Sequence, residues 1–334
     1  MHSRDQRRSA LTLADVAREA LVGESTVSRV LRNHGSYAAE TRERVREAAM
    51  RLGYVPNRIA GTLASPGSRL IGIIIPSLAN IVFPDVLRGA NTTLEANGYQ
   101  SVIGVTDYDQ AREETLVTSL LAWRPAGLLI AGLEHTERTS ALLRRSGVRI
   151  AELLDTDGQG IDVVVGFSNE NAGRAAARHL LARGYTRIGY VGDDLDQDRR
   201  AGKRFAGFTE TLAATGTLLV DREIVGMPSS IEAGRDGLER LLDRTPTLDA
   251  VYFSNDDMAI GGYFLCLSRG IAMPSRLALF GHNGLDVGRV TPQPLSTIRT
   301  PRVQVGAEAA RLVCSDEPSR VVDLGFELVE GATT

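Results

Sequence analysis

Residues 13–31 read Leu-Ala-Asp-Val-Ala-Arg-Glu-Ala-Leu-Val-Gly-Glu-Ser-Thr-Val-Ser-Arg-Val-Leu. Leu13, Val16, Ala17 and Ala20 recur at the spacing of one helix face, and Val27, Val30 and Leu31 resume it after a three-residue break at Leu21, Val22 and Gly23. Val45, Ala48, Ala49 and Leu52 make a third face, so three short helices with tight connections are predicted. Thr12 and Asp15 are spaced to cap the first, and Gly53 is placed to stop the third. Helix, short turn, helix is the unit whose second helix enters the DNA major groove. On that second helix Glu24, Ser25, Ser28 and Arg29 share the face opposite Val27 and Val30. Short polar groups and an Arg are the types that reach base edges and phosphates. Spacing alone fits equally the solvated face of a small three-helix bundle.

Outward from this stretch, residues 54–68 hold Pro56, Gly61, Pro66 and Gly67 and read as a linker with one short helical turn over 57–64. Beyond Leu70 the texture changes. β-rich runs at 70–75, 100–105, 127–131, 148–154, 187–191, 250–254 and 277–280 alternate with helical stretches such as 85–97, 170–183, 202–215, 233–243 and 258–269. Alternation without hairpin signals predicts parallel sheets covered by helices on both faces. The expected fold is an N-terminal all-α helix-turn-helix head plus hinge helix, followed by an α/β two-subdomain core with parallel sheets.

The chain has 334 residues, 24% charged and 43% hydrophobic, with two Cys and no Cys-x-x-Cys pair. This composition excludes a disulfide scaffold, a thiolate metal site and a disordered chain. The apolar stretches at 70–75 and 126–133 fall short of the roughly 20 residues that span a bilayer, and polar residues follow Arg4, Arg7 and Arg8 where an export signal needs an apolar run. A cytoplasmic protein is expected. Residues 1–65 carry 11 Arg against 7 acidic residues, +4, while the remainder carries 27 basic and 34 acidic, −7. A basic head on an acidic body fits a nucleic-acid partner for the head.

Four runs carry a resemblance: Leu13-Ala-Asp-Val-Ala-Arg-Glu-Ala, Ser25-Thr-Val-Ser-Arg-Val-Leu, Glu40-Thr-Arg-Glu-Arg-Val and Leu52-Gly-Tyr-Val-Pro-Asn-Arg-Ile-Ala. Together they resemble the N-terminal signature of the LacI/GalR family of bacterial transcriptional regulators, and the remaining chain is similar to that family's periplasmic-binding-protein-like core. Pro76-Ser-Leu-Ala-Asn-Ile-Val-Phe, Val165-Gly-Phe, Ser254-Asn-Asp-Asp and Asp323-Leu-Gly-Phe bring it nearest the gluconate-utilisation repressors. The resemblance implies a head at 1–56, a hinge helix and linker at 57–68, and an effector-binding and dimerisation core at 69–334. Within the core it implies one subdomain at about 69–165 plus 297–317 and another at about 166–295 plus 318–334. It also implies a homodimer on double-stranded, palindromic operator DNA. Arg29 matches a base-reading position; Thr12, Leu13, Ser25, Thr26, Ser28, Arg32, His34, Tyr54, Asn57 and Ala60 fall among DNA-facing positions, and Leu63 matches the apolar wedge that opens a central base step. Glu24 stands where base-reading residues vary, and its carboxylate can accept from cytosine.

Three positions depart from the family pattern: Leu21 replaces a turn Gly, and Gly23 and Ala38 replace capping Ser residues. A Leu held in a left-handed turn costs about 1–2 kcal/mol, which predicts a marginally stable head.

Effector positions carried over by the resemblance are Ser77, Phe83, Glu152, Arg200, Lys203, Arg204, Asn255, Asp256, His282 and Asn283. Each has a plainer reading as core residue, helix cap or solvated face. Asn283 stands where many sugar-binding members have Asp, which removes a charge that repels anions, and Arg200, Lys203 and Arg204 offer positive charge beside it. Gly202 occupies the family's usual Arg position, so a neighbouring cation must substitute, and the sequence leaves open which. A sugar acid, gluconate or a close relative, is the expected effector, with induction rather than co-repression. The alternatives are a neutral sugar or purine effector, or a stand-alone periplasmic-type sugar-binding protein. No nucleophile elbow, phosphate loop or metal-ligand spacing is found, so catalysis, a metal and a cofactor are not expected.

Overall fold

The computed structural model describes residues 11–31, 35–55, 68–226 and 228–334. The chain forms two compact units, Met1–Gly67 and Ser68–Thr334. In the first, α1 (Leu13–Ala20), α2 (Glu24–Leu31) and α3 (Ala39–Leu52) bury Val16, Ala17, Ala20, Val27, Val30, Val45, Ala48 and Ala49 against one another. Asp15 accepts from the Thr12 backbone N–H at 3.0 Å and from its hydroxyl at 2.7 Å. Gly53 closes α3 in the left-handed conformation, and Ala38 begins it with no side-chain cap.

The second unit holds two six-stranded sheets. The first has β1 (Leu70–Ile75), β2 (Gln100–Val105), β3 (Gly127–Ala131), β4 (Arg149–Leu153), β5 (Val163–Gly166) and β11 (Val321–Asp323), in the order β11-β5-β4-β3-β1-β2, all parallel. The second has β6 (Ile188–Gly192), β7 (Asp221–Ile224), β8 (Ala250–Phe253), β9 (Ala278–Asn283), β10 (Ser296–Arg299) and β12 (Glu327–Val329), in the order β12-β10-β9-β8-β6-β7. Only β12 runs antiparallel, against β10. Leu-Ile-Gly-Ile-Ile-Ile in β1 is buried along nearly its whole length, as a central strand covered on both faces must be. The covering helices of the first sheet are α4 (Val82–Ala96), α5 (Gln110–Ala122), α6 (Glu137–Arg145) and α12 (Arg302–Val313). Those of the second are α7 (Asn169–Ala182), α8 (Arg199–Ala214), α9 (Ile231–Arg244) and α10 (Asp256–Arg269), with a single turn α11 (Asp286–Arg289) after β9.

The chain passes between the sheets three times: after β5, after β10 and between β11 and β12. The expected boundaries at 297 and 318 therefore shift. Ser296–Arg299 pairs with β9 in the second sheet, whereas Val321–Asp323 pairs with β5 in the first. Both strands are short, and β11 is largely exposed, so neither leaves an apolar pattern in the sequence. α7 and α8 meet at Gly173 and Gly207, where a Cβ would lie 1.9 Å from the Arg204 carbonyl and 2.2 Å from that of Glu170. This close approach sets α8, with Arg200 and Arg204 in its first two turns, against the start of α7.

Candidate DNA-reading face and effector cleft

In the head, Glu24, Ser25 and Arg29 are exposed on α2, Ser28 and Thr26 are half-buried beside them, and Thr12 is exposed before α1. Leu13 and Tyr54 instead pack against the head core, so they support the face from behind. Leu21 adopts φ 52° and ψ 46°, the left-handed conformation expected of the turn, with its side chain 84% exposed. The strain is thus not offset by burial. Arg32, His34, Asn57, Ala60 and Leu63, and the expected hinge helix, lie outside the described residues.

In the body, a small cavity between the sheets brings together Phe83 of α4, Arg200 and Arg204 of α8, Asn255 at the start of α10, and His282 and Asn283 at the end of β9. Phe83 supplies a ring with the Arg200 guanidinium 5.2 Å above it, a cation–π contact. Arg204 donates to Asn169 Oδ1 at 3.0 Å and to the Ser254 carbonyl at 3.3 Å. Asn255 is committed to structure: its Oδ1 caps α10 and its Nδ2 donates to Ser229. The polar set is incompletely matched. Arg200 Nη1, Arg204 Nε, both ring nitrogens of His282 and Thr300 Oγ1 are buried without a partner, and all four residues line this cavity.

Charge in the cavity is set by Arg200, Arg204 and Asp198, a balance of +1. Burial opposes the charge of Asp198, but Arg200 and Arg204 outweigh it and hold its carboxyl below the ordinary range. Behind it, burial and the Asp198 charge push Asp193 up to about 6. Burial, with Arg204 and Arg302 nearby, drives His282 well below its ordinary value, so the ring is neutral, with one donor and one acceptor. Backbone strain gathers at the same place. Of the six non-glycine residues with positive φ among those described, Tyr108, Leu154 and Asn283 line this cavity, a concentration typical of functional sites.

Four expected effector residues lie elsewhere. Ser77 uses its hydroxyl to accept from the Ala79 N–H in the loop after β1. Glu152 is buried in β4, where it and Glu113 hold His135 between them, at 3.4 and 2.7 Å. Lys203 points to Asp155, Glu134 and the Asp157 carbonyl, which hold its ammonium charged despite burial. Asp256 accepts from the Leu285 N–H and the Thr297 hydroxyl, each at 2.7 Å, and pins the loop after β9. Of the three cations, Arg200 and Arg204 line this cavity and Lys203 does not. Sequence reasoning missed Tyr108, Asn169 and Thr300, which reach the cavity from the turn after β2, the start of α7 and the crossover after β10.

A helix-turn-helix head in one chain with a two-sheet α/β body is the layout of a DNA-binding regulator. Comparison with known proteins gives the family. Residues 12–57 match the model of bacterial regulatory proteins of the lacI family, and residues 68–323 match that of periplasmic binding proteins and the sugar-binding domain of the LacI family. The HTH-type transcriptional regulator GntR of Pseudomonas aeruginosa is 40% identical over 97% of this chain and 95% of its own length. The crystal structure of a LacI family transcriptional regulator from Silicibacter pomeroyi superposes with a TM-score of 0.93 at 43% identity, covering 97% of this chain and 99% of the other. A lac repressor dimer bound to operator and an anti-inducer matches with a TM-score of 0.81 at 25% identity over 97% of this chain and 99% of that one. The chain belongs to the LacI family of DNA-binding transcriptional regulators and is not an enzyme. Among the described residues no helix is long and apolar enough to cross a membrane.

Proposed function

We propose that the protein is a cytoplasmic repressor that binds a palindromic operator as a homodimer and is released by a sugar acid held between the two sheets of its body. The effector class rests on one observation: the buried, unpartnered donors of Arg200, Arg204, His282 and Thr300 meet at a single cavity. An unmatched buried donor costs about 1–3 kcal/mol, and a carboxylate with adjacent hydroxyls supplies the missing acceptors. Asn283 in place of an acidic residue removes a repulsion against such a ligand. The resemblance to gluconate-utilisation repressors points to gluconate or a close relative.

On the DNA side, Arg29 and Glu24 read bases, Thr12, Ser25, Thr26 and Ser28 hold the head on the backbone, and Leu63 wedges a central step. The effector acts by binding one arrangement of the cleft better than the other, with a coupling on the usual scale of about 1–3 kcal/mol. Calorimetric titration with D-gluconate, against D-glucose, 6-phosphogluconate and hypoxanthine, tests this reading. Binding of gluconate or its phosphate without glucose, together with release of operator DNA, supports it; binding of glucose or hypoxanthine alone removes the sugar acid and leaves the regulator.

A further inference from the structure

The neighbouring strands β4, β3 and β1 run parallel, so all three begin at one end of the first sheet. Their other end faces the cavity, which takes Leu154 from just beyond β4. Four arginines gather at the beginning end: Arg69 directly before β1, Arg124 shortly before β3, and Arg144 and Arg145 at the close of α6, ahead of β4. All four are exposed. Arg69 donates to the Asn97 and Gly98 carbonyls and lies over the Tyr99 ring, so its charge meets no carboxylate. Among the described residues Arg124, Arg144 and Arg145 have no hydrogen-bond or ion-pair partner. Arg138 joins Arg124 and Arg145 around a shallow depression that no carboxylate lines, its own charge being taken by Glu114 at 3.2 Å. Other exposed arginines of the same unit are paired more than once: Arg244 holds Asp221 and Glu223, and Arg311 holds Glu308 and Glu317.

Arg144 and Arg145 lie in the last turn of α6, where a cation meets the negative end of the helix dipole. That interaction leaves their N–H groups to water. Arg124 has no such support, and its backbone is held at φ 48°, in the left-handed region that favours glycine. Strain kept under a charged side chain is typical of functional positions. A row of unpaired guanidinium groups with no acid among them complements a polyanion. The chain enters this end of the sheet from residue 67, because Leu70 opens β1. DNA bound by the head is therefore tethered to the row through the covalent chain and meets it at a high effective concentration. An acidic protein has no such tether.

We propose that this end of the first sheet is a second DNA contact, independent of sequence, in which Arg124, Arg144 and Arg145 bond phosphates flanking the half-site that the head reads. Guanidinium groups bond phosphate oxygens in pairs, and such contacts add affinity without base preference. The head occupies the half-site, so the phosphates left for the body are those beyond it. The proposal rests on the operator reading above.

The test uses the full-length protein and two duplexes carrying the palindrome found by randomised selection. One ends at the last base pair of the palindrome, and the other is extended by about ten base pairs, one helical turn, on each side. Both are titrated by fluorescence anisotropy across a range of salt concentrations. The triple variant Arg124→Gln, Arg144→Gln, Arg145→Gln is expected to bind the extended duplex at least about tenfold more weakly near 0.1 M salt, with a salt slope lower by about 2–3 per subunit, at about 0.9 for each phosphate contact. The short duplex is expected to keep the parent's affinity within about twofold. Arg178→Gln removes an equally exposed, unpaired charge from α7 and is expected to leave both duplexes bound as before. Equal affinity and slope for parent and triple variant on the extended duplex overturn the contact and leave the row to an acidic protein. Equal losses on both duplexes also overturn it, because charge acting at a distance then explains the loss. If the parent fails to bind the short duplex, the operator reading falls and this contact with it.

Discussion

In the head the largest buried side chains are valines and Glu24, Ser25 and Arg29 of α2 stand in solvent, whereas in the body the polar residues of the cavity are buried among Phe83, Phe167 and Tyr108. The two regions meet their ligands under opposite solvation. An exposed Arg29 gives up little to wait for DNA, because water satisfies its donors until phosphates and base edges replace it. Buried Arg200 and Arg204 have no such substitute at Nη1 and Nε, so the cost of their isolation is carried by the folded body and relieved on binding. On the proposed function, selectivity in the cleft is stored as unmatched hydrogen-bonding groups, while in the head it is laid out on a surface.

The contrast can be broken most forcefully at Arg200. Arg200→Met leaves Asp198 without one of its two cations and the ligand without a donor. A loss of about 2–5 kcal/mol in effector binding is expected, the range for truncating one partner of a buried charge pair, with operator affinity retained in gel-shift titration. Equal gluconate binding by the variant and the parent would remove Arg200 from the site.

Next is the buried triplet of His135, Glu113 and Glu152, which links α5 to β4. Burial opposes the imidazolium, but the two carboxylates outweigh it and raise His135 to about 9. A folded value above the ordinary 6.5 stabilises the protein fully below pH 6.5, and that contribution disappears as pH rises toward 9, by roughly 3 kcal/mol. The stability difference between the parent and His135→Gln should shrink over that window in urea titrations. A difference independent of pH would show that the ring is neutral.

For the head, Glu24→Gln is expected to change base preference at one operator position by about 1–2 kcal/mol, read in a randomised-operator selection; an unchanged preference takes Glu24 off the reading face. The smallest effect is at the turn. Leu21→Gly should stabilise the isolated head by about 1 kcal/mol, seen as a rise of several degrees in melting temperature, and no rise would mean that the left-handed Leu carries no strain.

Much of this was legible in the order of residues. The three apolar faces of the head appear as α1, α2 and α3, and the strands β1, β2 and β3 have the expected ends. Six of the ten expected effector residues reach one cavity. The others are held away from it for local reasons. Glu152 and Lys203 each found a buried partner of opposite charge, His135 for one and Asp155 for the other, and Asp256 is consumed by hydrogen bonds from the Leu285 N–H in the loop after β9 and from the Thr297 hydroxyl in β10. β7, β11 and β12 carry charged or exposed residues and are three or four residues long, too short for a period of two to show.

What the sequence alone determined is whatever repeats along the chain: helix faces, buried strands, the left-handed stop at Gly53, and the family signature from Leu13 to Ala60. What only the tertiary structure decided is which polar groups remain unmatched. Tyr108, Asn169, Arg204, His282 and Thr300 are scattered over nearly two hundred residues, and each pairs or stays free according to what three crossings between the sheets bring within about 3 Å, the reach of a hydrogen bond. That distance carries no signature in any single segment, because it is a property of two segments at once.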